Sequence, residues 1–335
     1  MAEKINKQTY EFNKKICIKE TSSIVGPFEG EGPLKSCFDL CLEDDLCSQK
    51  SYEAAEALIL GESVALVLDK AKMTEKDIDI MIGGDLLNQI TATTFAYKNF
   101  DVGYWGIYNA CSTYTEGLQI AAMGIEAGAF KNVIVSASSH FSTSERQYRT
   151  PLELGSQNPV TSQRTVTGGG CCILGEGDGL PRIKRITVGK IVDLEQSDPY
   201  DMGAAMAPAA VDTILTHLNN TGTSFRDYDM IITGDLACEG HEIARKMLES
   251  YGYSGNNFTD CGKIIYDRAN QYVNNGGSGA GCCANVFNGY FYKLLKEKSL
   301  CRILFVATGA LLSTTSSQQK NNIPCIAHAV EICND

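Results

Sequence analysis

The 335-residue chain has no apolar run long enough to cross a bilayer: the longest, Ile303 to Leu312, is about half the roughly 20 residues a spanning helix needs. Met1 to Lys15 likewise lacks the continuous apolar stretch of a cleaved export signal. Lys and Arg form no block, and a formal net charge of -11 opposes attraction to phosphate backbones and anionic lipid. Nucleic acid is therefore excluded as a natural partner, and any membrane contact is expected to be peripheral, through other subunits. Cys37, Cys41 and Cys47 lack the close pairing of a structural zinc site, so no metal is expected there. The glycines of Gly26-Pro-Phe-Glu-Gly-Glu-Gly-Pro-Leu34 lack the strand and helix context of a dinucleotide fingerprint, and the segment reads as a turn.

What is present is an ordinary globular composition, 44% hydrophobic and 21% charged, in a chain long enough for two domains or two packed halves. Nothing in the fourteen cysteines indicates an oxidising compartment, and in a reducing cytosol thiols stay free. An intracellular protein is expected. The adjacent pairs Cys171/Cys172 and Cys282/Cys283 sit in small, apolar stretches where cysteine acts as a compact core filler.

An internal repeat organises the chain. Asp77-Ile-Asp-Ile-Met-Ile-Gly-Gly-Asp-Leu86 returns about 150 residues later as Asp227-Tyr-Asp-Met-Ile-Ile-Thr-Gly-Asp-Leu236. Upstream, Ala65, Leu68 and Thr74 are matched by Leu215, Leu218 and Ser224, which extends the likeness through a helix and a turn. Further on, Asn109-Ala-Cys-Ser112 and its helix correspond to the Gly-rich run Gly276 to Gly281 and the helix to Lys298. Each helix feeds a short β-branched or aromatic strand, Asn132 to Ala137 or Arg302 to Ala307, of the kind buried on both faces. Alternating strands and helices imply an α/β fold with mostly parallel sheets. The strands Cys171 to Gly175 and Ile183 to Val192 are expected to close the first half (1-182) and open the second (183-335). Between them, Phe141 to Thr167 is polar, carries Pro151 and Pro159, and reads as a loop or cap over a site.

Cys111 opens the helix after it, where unpaired backbone N–H groups and the positive dipole end favour a thiolate. Ser112 or Thr113 capping that helix, with Cys111 a buried spectator, is the alternative. His241 begins a later helix, where a histidine is as readily a cap as a ligand; His140, at a strand end, is a weaker candidate. Arg146 and Arg149 have the geometry to hold carboxylates or to face solvent. Ser313 to Ser317 follows the last parallel strand, at the end where α/β sheets bind ligands, and reads either as ligand donors or as a solvated turn.

Tyr108-Asn-Ala-Cys-Ser112, the Gly-rich turn of the second half and the duplication together resemble the thiolase and type III ketoacyl synthase superfamily. Within it, Glu29-Gly-Glu-Gly-Pro-Leu34, Ser144-Glu-Arg-Gln-Tyr-Arg149, Thr233-Gly-Asp-Leu236, Ser316-Ser-Gln-Gln319 and Ile326-Ala-His-Ala329 look like the stage V sporulation AD family, over nearly the whole chain. The resemblance implies a layered αβαβα sandwich of two pseudo-duplicated halves. Condensing enzymes of this fold use Cys, His and Asn. Here Gly234 and Asp235 stand where the histidine is expected, and Gly277 where the asparagine is expected, so the resemblance implies that the condensing activity is lost. Asp235 then reads as a ligand contact or as a strand-end turn like its repeat partner Asp85.

The same resemblance implies binding of dipicolinic acid (pyridine-2,6-dicarboxylate) and a role in its uptake into the forespore. The implied partners are the integral-membrane subunits of the SpoVA channel, at the forespore or spore inner membrane; monomer and homodimer, the latter common among thiolase-like proteins, both stay open. Cys111, Asp235, His241, Ser313 and Ser316 are the expected ligand contacts, with no cofactor except calcium travelling with the ligand. The rival expectation is a Cys111-dependent acyltransferase or ketoacyl synthase acting on acyl-CoA or acyl-carrier protein; a scaffold without small-molecule affinity is the third.

Overall fold

A computed structural model describes residues 2–148 and 159–334. Ten strands carry the architecture. In the first half they are β1 (Thr9–Val25), β2 (Ile80–Gly84), β3 (Tyr104–Gly106), β4 (Asn132–Ser139) and β5 (Gly168–Glu176); in the second, β6 (Arg182–Thr187), β7 (Met230–Thr233), β8 (Phe258–Asp260), β9 (Arg302–Ala310) and β10 (Cys325–Cys333). The first five lie in the order β3-β2-β4-β5-β1 and the second five in the equivalent order β8-β7-β9-β10-β6. Within each half the first three strands of that order are parallel, and the last two run antiparallel to their neighbours. The long strand β1 pairs with β5 through its C-terminal part and with β6 through its N-terminal part, joining the halves. The duplication seen in the sequence is thus a duplication of sheet topology.

The local devices repeat as well. Helix α1 (Tyr52–Ala71) is capped by the Ser51 hydroxyl accepting from the Ala54 amide, and α4 (Met202–Thr221) by the Asp201 carboxylate accepting from Ala204. After each helix a capping box, Thr74 with Asp77 and Ser224 with Asp227, turns the chain into β2 or β7. Asp79 and Asp229 then receive the amides of Lys131/Asn132 and Cys301/Arg302, which clamps the start of the neighbouring parallel strand in both halves.

Strand alternation sorts the core into layers. In β9, Ile303, Phe305 and Ala307 face a central core while Leu304 and Val306 face α4; in β4, Val133 and Val135 face the centre while Ile134 faces α1. The central layer is built by α2 (Thr113–Glu126) and α6 (Ala280–Val286) with the turns that follow it, where Phe287 stacks on Phe305 at 4.9 Å and Tyr114 packs against both rings. Helix, sheet, helix pair, sheet, helix is the expected five-layer sandwich. The cysteine pairs follow the same logic: Cys171 and Cys172 fill opposite faces of β5, and Cys282 and Cys283 fill the central layer.

Two expectations change. The start of the polar segment after β4 is a helix, α3 (Phe141–Tyr148), because His140, Ser142 and Thr143 satisfy its first turn and Glu56 receives the Thr143 hydroxyl; Arg164–Thr165 forms a short strand with Gly277–Ser278. The strand expected to reach Val192 stops at Thr187, since Gly189 abuts the Ala327 carbonyl and only Val192 rejoins the sheet, bridging Cys325. No helix among the described residues is long and apolar enough to cross a membrane.

Candidate functional site

Both halves of the chain wall a cavity of about 370 Å³ at the C-terminal ends of the parallel strands, where ligands of α/β sheets sit. The first half contributes Leu86, Asn88, Tyr108, Asn109, Cys111, Ser144 and Tyr148, and the second contributes Ser278, Gly279, Leu312, Ser313 and Ile326 with Ile191 and Leu311 near the rim. The walls are largely apolar, and the polar groups among them are hydroxyls and amides; no Lys or Arg of the described residues lines the cavity.

Cys111 reaches this cavity from a tight turn, Ala110–Ser112, in front of α2. Ala110 holds φ at +49°, a left-handed conformation that a residue with a Cβ adopts only under local strain, and such strain concentrates at functional turns. The thiol is not a thiolate. Burial pushes it well above its ordinary range, and the Asp235 carboxylate beside it pushes in the same direction, overriding the helix-end field expected from sequence. The amide of Gly279 faces both groups. At Gly279 φ is +104° and a Cβ would lie 2.7 Å from the Ser139 hydroxyl, so only glycine brings that amide to the site.

Asp235 follows β7 and is fully buried. Its Oδ1 accepts the Thr308 hydroxyl at 2.6 Å, and the Cys111 thiol and the Gly279 amide point at the same carboxyl. Burial raises its carboxyl to about 7, against the pull of the Cys111 thiol and the Thr308 hydroxyl, while Asp260 adds a further push upward. The turn after β7 does not depend on Asp235. Its amides at Leu236 and Ala237 are received by Asp260, which also accepts from the Thr233 hydroxyl and the Lys263 amide.

Of the expected contacts the structure brings Asp235 against Cys111, though behind the cavity lining, and leaves His241 and Ser316 away from it. His241 lies in α5 (Ala237–Glu249), stacked on Phe258 at 4.6 Å, with Nε2 at the Phe258 carbonyl and Nδ1 at Lys263 Nζ. Burial lowers it to about 4, with the Lys263 charge adding to the effect, so it is a neutral core histidine outside the cavity lining. Ser313 lines the cavity, but its hydroxyl also caps the short helix Thr314–Gln318; Ser316 closes that capping box and lies outside the lining. The expected hydroxyl cluster is thus mainly a helix cap, the structural half of its two readings. Arg146 pairs with Glu53 at 2.9 Å, and Arg149 lies outside the described residues. His140 is fixed by the Asp45 carbonyl and the Ser142 amide.

The sequence reading missed five contributors. Tyr108 and Tyr148 join hydroxyls at 2.9 Å over the Leu86 carbonyl, closing one wall. Asn109 is held by His328, whose Nε2 lies 2.9 Å from its amide while Nδ1 accepts the Gly189 amide; burial lowers His328 to about 4. Thr308 is the donor to Asp235. Tyr108, Asn109 and His328 stood inside segments that carry the resemblance, Tyr108-Asn-Ala-Cys-Ser112 and Ile326-Ala-His-Ala329, but a motif does not say which side chain faces the cavity.

The family model for Stage V sporulation protein AD (SpoVAD) matches residues 6–333. Stage V sporulation protein AD of Bacillus subtilis (strain 168) is 42% identical over 325 residues, which cover 97% of this chain and 96% of that protein. Among solved structures, a variant of OleA from Xanthomonas campestris superposes with a TM-score of 0.62 at 15% identity, covering 96% of this chain and 99% of that one. The 3-oxoacyl-[acyl-carrier-protein] synthase III of Aquifex aeolicus VF5 gives 0.59 at 13% identity, covering 95% and 99%. These likenesses show the thiolase-like fold of condensing enzymes, and the chain belongs to the stage V sporulation protein AD family.

Proposed function

We propose that the chain binds dipicolinic acid in the cavity at Cys111 and serves the acid's uptake into the forespore, with the integral-membrane subunits of the SpoVA channel as partners. The observation that carries this reading is the Cys111–Asp235 pair, with the thiol at the cavity wall and the carboxyl buried against it. The pair puts a carboxyl where condensing enzymes of this fold carry a histidine, and Gly277 stands in place of their asparagine, so the two donors that polarise the thioester carbonyl are missing. What is left is a small chamber with apolar walls for an aromatic ring and a set of hydroxyl and amide donors for carboxylates. With no Lys or Arg among the described lining residues, the two ligand charges need another form of compensation, and calcium carried with the ligand is one source. Membership of a sporulation family supports the biological setting.

The rival reading is acyl transfer, favoured by the exposure of Cys111 to the cavity. Titration calorimetry with dipicolinate, with and without calcium, run beside an acetyl-CoA incubation read by intact mass, separates the two. Saturable heat without an acyl adduct supports the binding protein. An adduct on Cys111 without heat makes the chain a transferase, and neither signal leaves a scaffold.

A further inference from the structure

Resting on that reading, we infer that the cavity takes up a proton together with its anionic ligand, and that the proton is held on the Asp235 carboxyl. The geometry behind this is one-sided. Asp235 is fully buried and accepts the Thr308 hydroxyl on one oxygen, and the two other donors against its carboxyl, the Cys111 thiol and the Gly279 amide, both belong to residues that line the cavity. The titratable groups around it are Cys111 on the turn before α2, Cys282 and Cys283 on α6, Cys261 and Asp260 at the end of β8, and Cys325 on β10. Every one is a thiol kept protonated by burial or another carboxyl, so none supplies positive charge. His328, on the same strand as Cys325, is spent on Asn109 and Gly189.

A carboxylate arriving in the cavity places a second negative charge across the Cys111 side chain from Asp235, in a medium where water screens poorly. The ligand-bound protein must then hold a proton that the free protein releases near neutral pH, where burial has already brought Asp235 to about 7. The sign follows. Affinity is greatest at acid pH and falls as pH rises through the titration of the free protein, by up to roughly tenfold per unit, until the bound form titrates too. Protonated, Asp235 also ceases to oppose the ligand electrostatically.

The test is calorimetry of the full chain with dipicolinate, without calcium, in phosphate and in Tris. The expected result is a buffer-dependent heat corresponding to uptake of about half a proton per ligand at pH 7, rising toward one at pH 8. In Asp235→Asn the buffer dependence disappears and the affinity measured at pH 6 persists at pH 8. Thr308→Val, which removes the donor favouring the charged form, moves the wild-type pH window upward. Infrared difference spectra of the ligand-free protein, wild type minus Asp235→Asn, should show a protonated carboxyl band that fades between pH 6 and 8. Saturable binding with identical heats in both buffers overturns the inference while the binding reading stands. Absence of saturable heat at every pH removes both.

Discussion

Asp85 and Asp235 occupy the same place in the two halves, each closing a Gly-Asp-Leu turn after the second strand of its repeat, yet they do different work. Asp85 accepts the Leu87 amide on one oxygen and the Thr93 amide and hydroxyl on the other, so both oxygens hold the turn. In the second half that task has passed to Asp260, which stands across the parallel pair from Thr233; the matching position beside Gly83 is Gly106, which has no side chain to offer. Relieved of the turn, Asp235 faces Cys111. In a duplicated fold the shared residues state the architecture, and the place where one copy reassigns a side chain marks a candidate site.

That comparison breaks most sharply in stability measurements. Asp260→Ala strands the Leu236, Ala237 and Lys263 amides and the Thr233 hydroxyl in the interior, and should cost about 3 to 5 kcal/mol in denaturant unfolding. Asp85→Ala should cost about 2 to 4 kcal/mol for the same reason. Asp235→Asn should stay within about 1 kcal/mol, because it keeps an acceptor for Thr308 and discards a charge that burial disfavours. A loss at Asp235 as large as that at Asp85 would show that the second-half aspartate is structural after all.

The pH dependence of stability offers a second contrast. Glu331 is fully buried, and burial alone would raise it; the bond and charge of His217 and the guanidinium groups of Arg302 and Arg185 outweigh that and hold it at about 2. A lowered acid stabilises the fold above its unfolded value near 4.5, and the contribution, at most about 3 kcal/mol, is lost as pH falls from there toward 2. Glu29 and Glu56 behave oppositely: burial raises them to about 7 and about 8, so their contribution is full below about 4.5 and is lost as pH rises through those values. Urea midpoints of Glu331→Gln against wild type should converge near pH 2, and those of Glu56→Gln should flatten the alkaline limb.

Thiol reactivity gives the smallest and simplest comparison. Cys301 is exposed and Cys111 is buried and protonated, so iodoacetamide followed by intact mass should modify Cys301 well before Cys111 at pH 7.5. Rapid alkylation of Cys111 would restore the activated nucleophile that its helix-end position suggested.

Much of the fold was legible because it rests on local patterns stated twice: the strand at Ile80 and its copy at Met230, the Thr74 and Ser224 capping boxes, the apolar strands at Asn132 and Arg302. The site was legible only in part. Cys111 and Asp235 could be named because the resemblance marks their positions, but the pKa of the thiol depends on a partner 124 residues away, which no helix-end argument contains. His241 was misplaced because a helix beginning near the strand end says nothing about which face a side chain takes; the stack on Phe258 decides it. Ser313 and Ser316 illustrate the competition between a hydroxyl's local use as a cap and its use on a ligand, which the cap largely wins.

The most direct test of a binding site built from both halves is a crystal structure of the full chain grown at saturating dipicolinate near pH 6. The account predicts a planar ligand in the cavity between Asn109, Cys111, Gly279 and Ser313, with Sγ unmodified. An empty cavity with the ligand elsewhere, or an acyl group on Cys111, would contradict it.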